Sequence, residues 1–233
     1  VSGAYGDPAD PGNWVLGNTV VVCGADNPLY DALNAQVSAP DKFPRFDTVT
    51  QAIAYAQSQN GAIRYIVVAS STAGTSSVVS EIRDNIDYPQ NETFSIVGYP
   101  PYNPETIVIK AADPSRPVLN LGSAPAGVSI AGLTFTGGSV GIRTGDRCAA
   151  TIDRCYIRDN NAVVQGGVIV DKTGVGILCE GDAVGAPIIQ NCSIVHNECD
   201  GIRVESQNVC VAFCTIFENG RNGVSTVDGG TAT

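Results

Sequence analysis

The chain has 233 residues, of which 43% are hydrophobic and 15% are charged. This balance provides enough apolar side chains for a sizeable core and excludes global disorder. The formal net charge is −10, from 13 basic and 23 acidic residues. It argues against a surface for nucleic acid or an anionic membrane, because phosphate binding needs clustered Lys and Arg. No long apolar run occurs, so we also expect no membrane insertion.

The first 42 residues are predicted to form an extended segment ahead of a single β-rich domain at residues 43–233. Val1–Trp14 is rich in Gly, Pro and Asp, a composition typical of extended or turn-rich chain. Val20–Val22 is predicted as a strand, and Leu29–Ala35 as a short helix within a loop.

A helix is predicted over about residues 47–59, at the start of the β-rich domain. Asp47 is the candidate N-cap, and Val49, Ile53 and Ala56 form an apolar stripe at helical spacing. Gly61 follows the end of the pattern. We expect this helix to cover the open end of the core. The apolar segments that follow it are predicted as early, irregular coils: 63–68, 94–97, 106–109, 118–121 and 128–130.

A repeat with a period near 22 residues becomes regular from about residue 128. Its units start at positions 133, 155, 192 and 214, so the middle spacing of 37 contains 15 extra residues. We place these between Asn160 and Gly176, around Ala162–Thr173. Two short strands per unit, separated by turn residues, are typical of a solenoid whose stacked units share one core. The aligned segments are Leu133–Gly138, Cys155–Asn160, Cys192–Asn197 and Cys214–Asn219.

Alternate residues of each strand are predicted to point into the core, so equivalent residues of successive units form columns along the axis. Asn160, Asn197 and Asn219 are predicted to stack at a turn, where side-chain amides bond to one another. The predicted core columns are Phe135, Ile157, Ile194 and Ile216 in the first strand, and Ile142, Ile177, Ile202 and Val224 in the second.

The repeat, seen most clearly in Asn191–Asn197 followed by Gly201 and Ile202, resembles the right-handed parallel β-helix superfamily in its generic repeat form. The predicted capping helix and first strand fit the same superfamily, and the resemblance covers about residues 43–228. It implies an all-β fold, a single right-handed parallel β-helix with an N-terminal capping helix. The catalytic motifs of its pectate-lyase-like, polygalacturonase-like and pectin-esterase-like members do not occur in this sequence.

Eight cysteines are present, and seven of them lie after residue 147, within the repeats. We favour free, buried thiols that act as small hydrophobic side chains. The alternative is one or two disulfides at turns. A zinc ribbon is disfavoured because no CxxC pair occurs.

The column just before the stacked asparagines is the first candidate site. It contains Asp159, His196 and Glu218, and His196 is the only histidine of the chain. A histidine flanked by carboxylates can act as a general acid or base or bind a metal ion. We favour the alternative, a solvated column of turn residues, because neither a nucleophile nor a third ligand is evident.

A second candidate site follows the second strand of the repeat, where Glu180 and Glu205 are stacked beside Arg203, with Asp182 and Asp200 near. Two stacked carboxylates can differ in pKa and serve as the acid–base pair of a glycosidase. Their oxygens could instead bind Ca²⁺. The favoured alternative is a surface ladder of acidic residues on an acidic protein.

The inserted segment is the third candidate, with Gln165, Asp171 and Lys172 as its polar residues. Loops that project from a solenoid often line a binding face. We favour a small hairpin that packs on the coil or on another subunit.

The functional prediction is a non-enzymatic structural or adhesive protein of an extracellular, cell or virion surface. The coil after Thr226 has no evident cap, so we expect a homo-oligomer or a partner at that end. One alternative is a tailspike-like polysaccharide lyase or hydrolase, with Glu180, Glu205, Arg203 and His196 as residues to test. Another is a carbohydrate-binding or Ca²⁺-binding module. Apart from Ca²⁺, no cofactor is expected.

Overall fold

The structure is a computed structural model, and it describes residues 17–24, 27, 30–31, 34–35, 42–70, 80–99, 104–182, 184–205 and 207–233. Val1–Trp14, predicted to be extended, lies outside the described residues, as does part of the predicted short helix at Leu29–Ala35. The predicted strand at residues 20–22 is present as β1 (Thr19–Val22). No helix in the described part of the chain is long and apolar enough to cross a membrane.

Three parallel sheets wind around one axis, and six successive coils contribute one strand to each sheet, while the first sheet has three further strands at its two ends. In the described residues, sheet 1 contains, in spatial order, β2 (Arg45–Phe46), β1, β3 (Tyr65–Ala69), β6 (Ser95–Tyr99), β9 (Ser129–Ala131), β12 (Thr151–Asp153), β17 (Ile188–Gln190), β20 (Asn208–Ala212) and β23 (Thr231–Ala232).

Sheets 2 and 3 form the other two walls of the solenoid. Sheet 2 contains β4 (Ser80–Arg83), β7 (Ile107–Lys110), β10 (Thr134–Thr136), β13 (Tyr156–Arg158), β18 (Ser193–Val195) and β21 (Thr215–Phe217). Sheet 3 contains β5 (Ile86–Asp87), β8 (Leu119–Gly122), β11 (Val140–Thr144), β16 (Val175–Cys179), β19 (Ile202–Glu205) and β22 (Val224–Val227). A 3₁₀ turn at Pro104–Thr106 precedes β7.

The predicted all-β parallel solenoid is confirmed, but the unit of two strands is incomplete because each coil has a third strand, in sheet 1. The sheet 1 strands of the regular coils are short. They have one equivalent position that is occupied by a buried aliphatic side chain, namely Ile130, Ile152 and Ile189 in successive strands. Because the other buried residues of these strands include Ser129 and Asp153, one recurring aliphatic position gives no alternating apolar pattern to detect. Sheet 1 also contains β1, from within the first 42 residues, which pairs in parallel with β3.

The predicted core columns are confirmed in register, but Val224, at the end of the second column and on the outermost strand of sheet 3, is 42% exposed and so is not a core residue. Phe135 pairs with Ile157, which pairs with Ile194, which pairs with Ile216 in neighbouring strands of sheet 2. The first three of these side chains are fully buried, and Ile216 in the last described coil is partly buried against them. Burying a side chain of this size stabilises the fold by roughly 1.5–3 kcal/mol.

The asparagine ladder is present at the corner between sheets 2 and 3. Asn160 Nδ2 donates to Asn197 Oδ1 at 2.9 Å, and Asn197 Nδ2 donates to Asn219 Oδ1 at 2.9 Å. A Cβ atom on Gly176 would lie 2.8 Å from Asn197 Nδ2 and 2.6 Å from the carbonyl oxygen of Gly201. Glycine is therefore required where the next strand passes close to the ladder.

Helix α1 (Val49–Ser58) covers the start of the solenoid, close to the predicted range. The prediction of Asp47 as N-cap is wrong, because Thr48 has the extended backbone of a cap and its side chain accepts from Gln51 N at 3.2 Å. Asp84, from the turn after β4, accepts from Thr50 N at 2.8 Å and so binds the helix start to the solenoid. The buried face consists of Val49, Ala52, Ile53 and Ala56.

All eight cysteines are free thiols, as predicted, and six of them are buried. The cysteines that start the repeat units fill the corner before sheet 2, where Cys192 Sγ donates to Gln190 O at 3.1 Å. Burial raises the pKa of the Cys179 thiol to about 12. Cys210 is exposed and Cys214 is half-buried.

The inserted segment forms an antiparallel hairpin of β14 (Val164–Gln165) and β15 (Val168–Ile169). Sixteen positions separate Asn160 from Gly176, against four between Asn197 and Gly201, so this corner contains twelve of the fifteen extra residues. The other three extra residues lie in the turn between β16 and β17. The prediction that all fifteen lie between Asn160 and Gly176 is therefore wrong. The reason is that two corners of the same coil are lengthened.

Candidate functional site

Glu180 and Glu205 lie side by side at the carboxyl ends of the neighbouring strands β16 and β19 in sheet 3. Cys179 pairs with Val204 in adjacent strands, so the residues that follow them, Glu180 and Glu205, occupy neighbouring coils. Successive coils are about 4.8 Å apart. The parallel register therefore stacks the two carboxylates as predicted.

Lys172, from the inserted segment, lies between the two carboxylates. Its Nζ is 3.0 Å from Glu180 Oε1 and 2.5 Å from Glu205 Oε2. These two oxygens can therefore be no more than 5.5 Å apart, the sum of those distances. Arg143 Nε, from the preceding coil, donates to Glu180 Oε2.

Arg203 forms the second half of the cluster. Its Nη1 donates to Asp171 Oδ1 at 2.8 Å, and its Nη2 lies 2.7 Å from Glu205 Oε1. The Glu205 side chain is only 8% exposed, and its Oε1 lies beside the guanidinium without the alignment of a hydrogen bond. Each oxygen of Glu205 thus lies against a cation, Oε2 against Lys172 and Oε1 against Arg203.

The pairing decides the protonation states of the cluster. Burial by itself would raise the pKa of Glu180, but hydrogen bonds from Lys172 and Arg143 outweigh it and hold the pKa below the ordinary value. Hydrogen bonds to Glu205 and Glu180 raise the pKa of Lys172. The hydrogen bond from Arg203 lowers the pKa of Asp171. At neutral pH, Glu180, Asp171 and Lys172 are therefore all charged.

The cluster borders an open, polar cavity of about 470 Å³ on the outer face of the solenoid. Arg143, Lys172, Glu180 and Glu205 line one side of it. The remaining lining residues are Gly145, Asp146, Gly181 and Asp228.

The two aspartates expected near the glutamates are elsewhere. Asp200 is buried and accepts from Asn222 N at 3.0 Å and from Ser225 Oγ at 2.8 Å, so it supports a corner of the last described coils. Asp182 lies 3.8 Å from Arg147 Nε at the exposed rim. Asp200 lies before the start of β19, at the opposite end of that strand from Glu205, and Asp182 lies in the turn after β16.

Of the three residues in the first candidate column, only His196 and Glu218 contact each other, whereas Asp159 does not pair with His196. His196 Nε2 lies 2.6 Å from Glu218 Oε2, and both side chains are largely exposed. Asp159 instead pairs with its neighbour Arg158 at 2.5 Å. All three residues have a positive φ, between 52° and 55°, at the corner before the asparagine ladder. His196 and Glu218 are therefore paired, solvent-exposed corner residues, and a chemical role for the column stays a prediction.

No group of three or more His, Cys, Asp or Glu side chains placed to hold a metal ion is found in the described part of the chain. The acidic residues near Glu205 alternate with Lys172, Arg143 and Arg203, which neutralise them. A Ca²⁺ site remains a prediction.

Sequence reasoning named Asp171 and Lys172 as part of the insertion but did not pair them with the strand residues, and it missed Arg143. Arg143 pairs with Leu178, which pairs with Arg203, on the outward column of sheet 3. Aligning the outward-facing residues of the second strand in the same 22-residue register as the core residues would have placed Arg143 in this column.

The family comparison agrees with this architecture. Residues 119–233, about half of the chain, match the family described as right handed beta helix region. Comparison with curated proteins and with solved structures finds no match. The match covers the regular repeats, and together with the three parallel sheets it shows a right-handed parallel β-helix region over these residues.

Proposed function

We propose that this chain is a non-enzymatic structural or adhesive β-helix of an extracellular, cell or virion surface, which associates with itself or with a partner. One observation carries the proposal: the charged groups that could perform chemistry pair with one another. Lys172 bridges Glu180 and Glu205, and Arg203 pairs with Asp171. The cluster thereby fastens the inserted segment to the wall of the solenoid.

The charge states of the cluster support a structural role. A general acid needs a carboxyl group that stays protonated near neutral pH, yet the pKa of Glu180 is lowered. A general base needs a free acceptor, yet the raised pKa of Lys172 keeps it protonated. Neither group is suited to transfer a proton in the state that the structure describes.

A continuous β-helix is also a suitable scaffold for such a protein. Six successive coils bond to one another in three sheets, and the asparagine ladder adds bonds along the axis at one corner. Rigid solenoids present the loops at their corners at fixed spacing.

The test is incubation of the full chain with a panel of acidic and neutral polysaccharides, followed by assays for reducing ends and for unsaturated ends. We expect no product with the wild type or with Glu205→Gln. Product release that Glu205→Gln abolishes, while Glu218→Gln preserves it, would overturn the proposal.

One observation favours a second candidate, a polysaccharide lyase or hydrolase. Glu205 Oε1 is buried without a hydrogen bond beside an open polar cavity. Its other oxygen is at most 5.5 Å from Glu180 Oε1, and this upper limit is compatible with the separation of about 5–5.5 Å in retaining glycosidases. The same assay decides between the two functions. A melting temperature raised by Ca²⁺ and restored by chelator would instead support a binding module.

A further inference from the structure

Three of the eight free cysteines form a thiol column along the solenoid axis. Strands β13, β18 and β21 are paired in register, and each begins one residue after a cysteine, namely Cys155, Cys192 and Cys214. These cysteines therefore occupy equivalent corners of successive coils, which are about 4.8 Å apart. This spacing lies within the range of about 4.4–6.8 Å that usually separates the Cα atoms of a disulfide.

The three thiols share one orientation. Cys214 Sγ lies 3.4 Å from Ala212 O in its own coil and 3.6 Å from Ile189 O in the preceding coil. The same two kinds of contact recur at the other two members of the column. Each sulfur therefore lies between its own coil and the preceding one, and Cys214 Sγ is directed towards the coil that contains Cys192.

The thiols of the column also affect one another. Hydrogen bonding with Cys155 raises the pKa of Cys192 well above its ordinary value. Hydrogen bonding with Cys192 likewise raises the pKa of Cys214. The sulfur atoms of neighbouring coils are therefore in contact range, in agreement with the register of the strands.

Access from solvent distinguishes the members of the column. Cys155 and Cys192 are buried, whereas Cys214 is half-buried. A small oxidant therefore reaches the column at Cys214, whose neighbour in the column is Cys192. Cys210 is exposed, but its register partner in β17 is Ile188, so it does not face a second cysteine there.

We infer that Cys192 and Cys214 are the site of a disulfide that forms by exchange with a small-molecule disulfide and joins two neighbouring coils. The Cys214 thiolate attacks the small disulfide, whose S–S bond breaks, and one small thiol leaves. The Cys192 thiolate then attacks the Cys214 sulfur, and the second small thiol leaves. The two protein thiols are oxidised, their protons pass to the two small thiols, and one small disulfide is reduced.

The bond fastens the coil of β20–β22, where the described core is least covered. Ile216 of this coil is half-buried and Val224 is exposed. A link between positions 192 and 214 restricts the unfolded chain and so stabilises the folded state. Disulfides persist in oxidising compartments, so the role of the bond rests on the proposed extracellular location, whereas its formation in vitro does not.

The experiment treats the reduced full chain, freed of reductant, with oxidised glutathione at about pH 8.5. The parent protein is Cys210→Ser, which removes the exposed thiol. We expect two thiols fewer in a titration after unfolding, and peptide mapping that places the bond between Cys192 and Cys214. The melting temperature should rise, and dithiothreitol should restore it.

Two variants of this parent test the assignment. Cys214→Ser should keep all its remaining thiols. The matched control is Cys199→Ser, at a buried cysteine outside the thiol column, and it should still form the bond. Peptide mapping of the parent itself does not depend on whether these variants fold.

The inference is overturned if all thiols survive, if a mixed disulfide with glutathione is the only product, or if the bond joins other cysteines. Loss of the bond in Cys199→Ser overturns it as well. A bond that leaves the melting temperature unchanged overturns the stabilising role. Failure of the bond leaves the proposed function standing, and polysaccharide turnover by a chain that forms the bond overturns only the proposed function.

Discussion

Lys172 Nζ lies 2.5 Å from Glu205 Oε2, and this contact joins an inserted hairpin to a strand of the solenoid wall. The two residues are 33 positions apart in the chain and belong to different coils. Because the Glu205 side chain is nearly buried, its negative charge depends on Lys172 and Arg203 for compensation.

Replacing Lys172 with Gln should therefore loosen the hairpin and destabilise the protein. Glu205 would keep one cation instead of two, and we expect a loss of about 1–3 kcal/mol in the free energy of unfolding. Denaturant unfolding and hydrogen exchange at residues 163–173 measure the two effects. The control is Arg147→Gln, which removes an exposed pair at 3.8 Å and should cost less than about 1 kcal/mol. Equal losses in both variants would contradict the role of Lys172.

The contacts that hold the hairpin should depend on pH. Asp171 and Glu180 have folded-state pKa values below their ordinary values of 3.8 and 4.5. Such carboxylates contribute stability above the unfolded pKa, and this stability is lost as the pH falls through the folded pKa. Lys172 has a raised pKa, so its contribution is present below 10.5 and is lost as the pH rises through the folded value.

We therefore expect hairpin protection to be constant between about pH 5 and pH 10 and to fall below about pH 4. Hydrogen exchange, corrected for intrinsic rates, measures it. Asp171→Asn should reduce the acid-dependent change. Full protection of the hairpin at about pH 3 would contradict this explanation.

Removal of Asn197 from the corner ladder should be among the most damaging single changes. Its Oδ1 accepts from Asn160 Nδ2, and its Nδ2 donates to Asn219 Oδ1 and to backbone carbonyls, all at a buried position. Asn197→Ala leaves several of these groups unpaired, and we expect a loss of about 3 kcal/mol. Asn219→Ala, at the partly exposed end of the ladder, should cost less. Denaturant unfolding of both variants decides the order.

The thiols should differ sharply in reactivity under native conditions. Cys210 is exposed, whereas burial raises the pKa of Cys179 to about 12 and of Cys23 to about 11. A thiolate-selective reagent should modify Cys210 rapidly and the buried cysteines only after unfolding. Cys210→Ser should remove the fast phase. A fast phase that persists in this variant, or fewer than eight thiols titrated after unfolding without reductant, would contradict the assignment of free cysteines.

The sequence alone determined the register of the solenoid. Ile157, Ile194 and Ile216 recur at equivalent positions because every coil must place an apolar side chain over the one below it. The ladder of Asn160, Asn197 and Asn219 follows from the same periodicity. These features were predictable because each depends on a spacing that the chain repeats.

Only the tertiary structure decided the sheet 1 strands of the later coils, β12, β17 and β20, and the ion pairs of the candidate site. The recurring inward aliphatic position of these strands is occupied by Ile152, Ile189 and the half-buried Val211, and one position per short strand is too little for a pattern. The pairing of Lys172 with Glu205 depends on how a non-repeating hairpin folds across sheet 3. No repeated spacing in the sequence predicts the direction in which the inserted segment crosses sheet 3. That direction depends on the packing of Ala162 and on the strand residues of sheet 3 that the segment covers. Periodic contacts can be read along a chain, whereas contacts made by an insertion depend on the assembled surface.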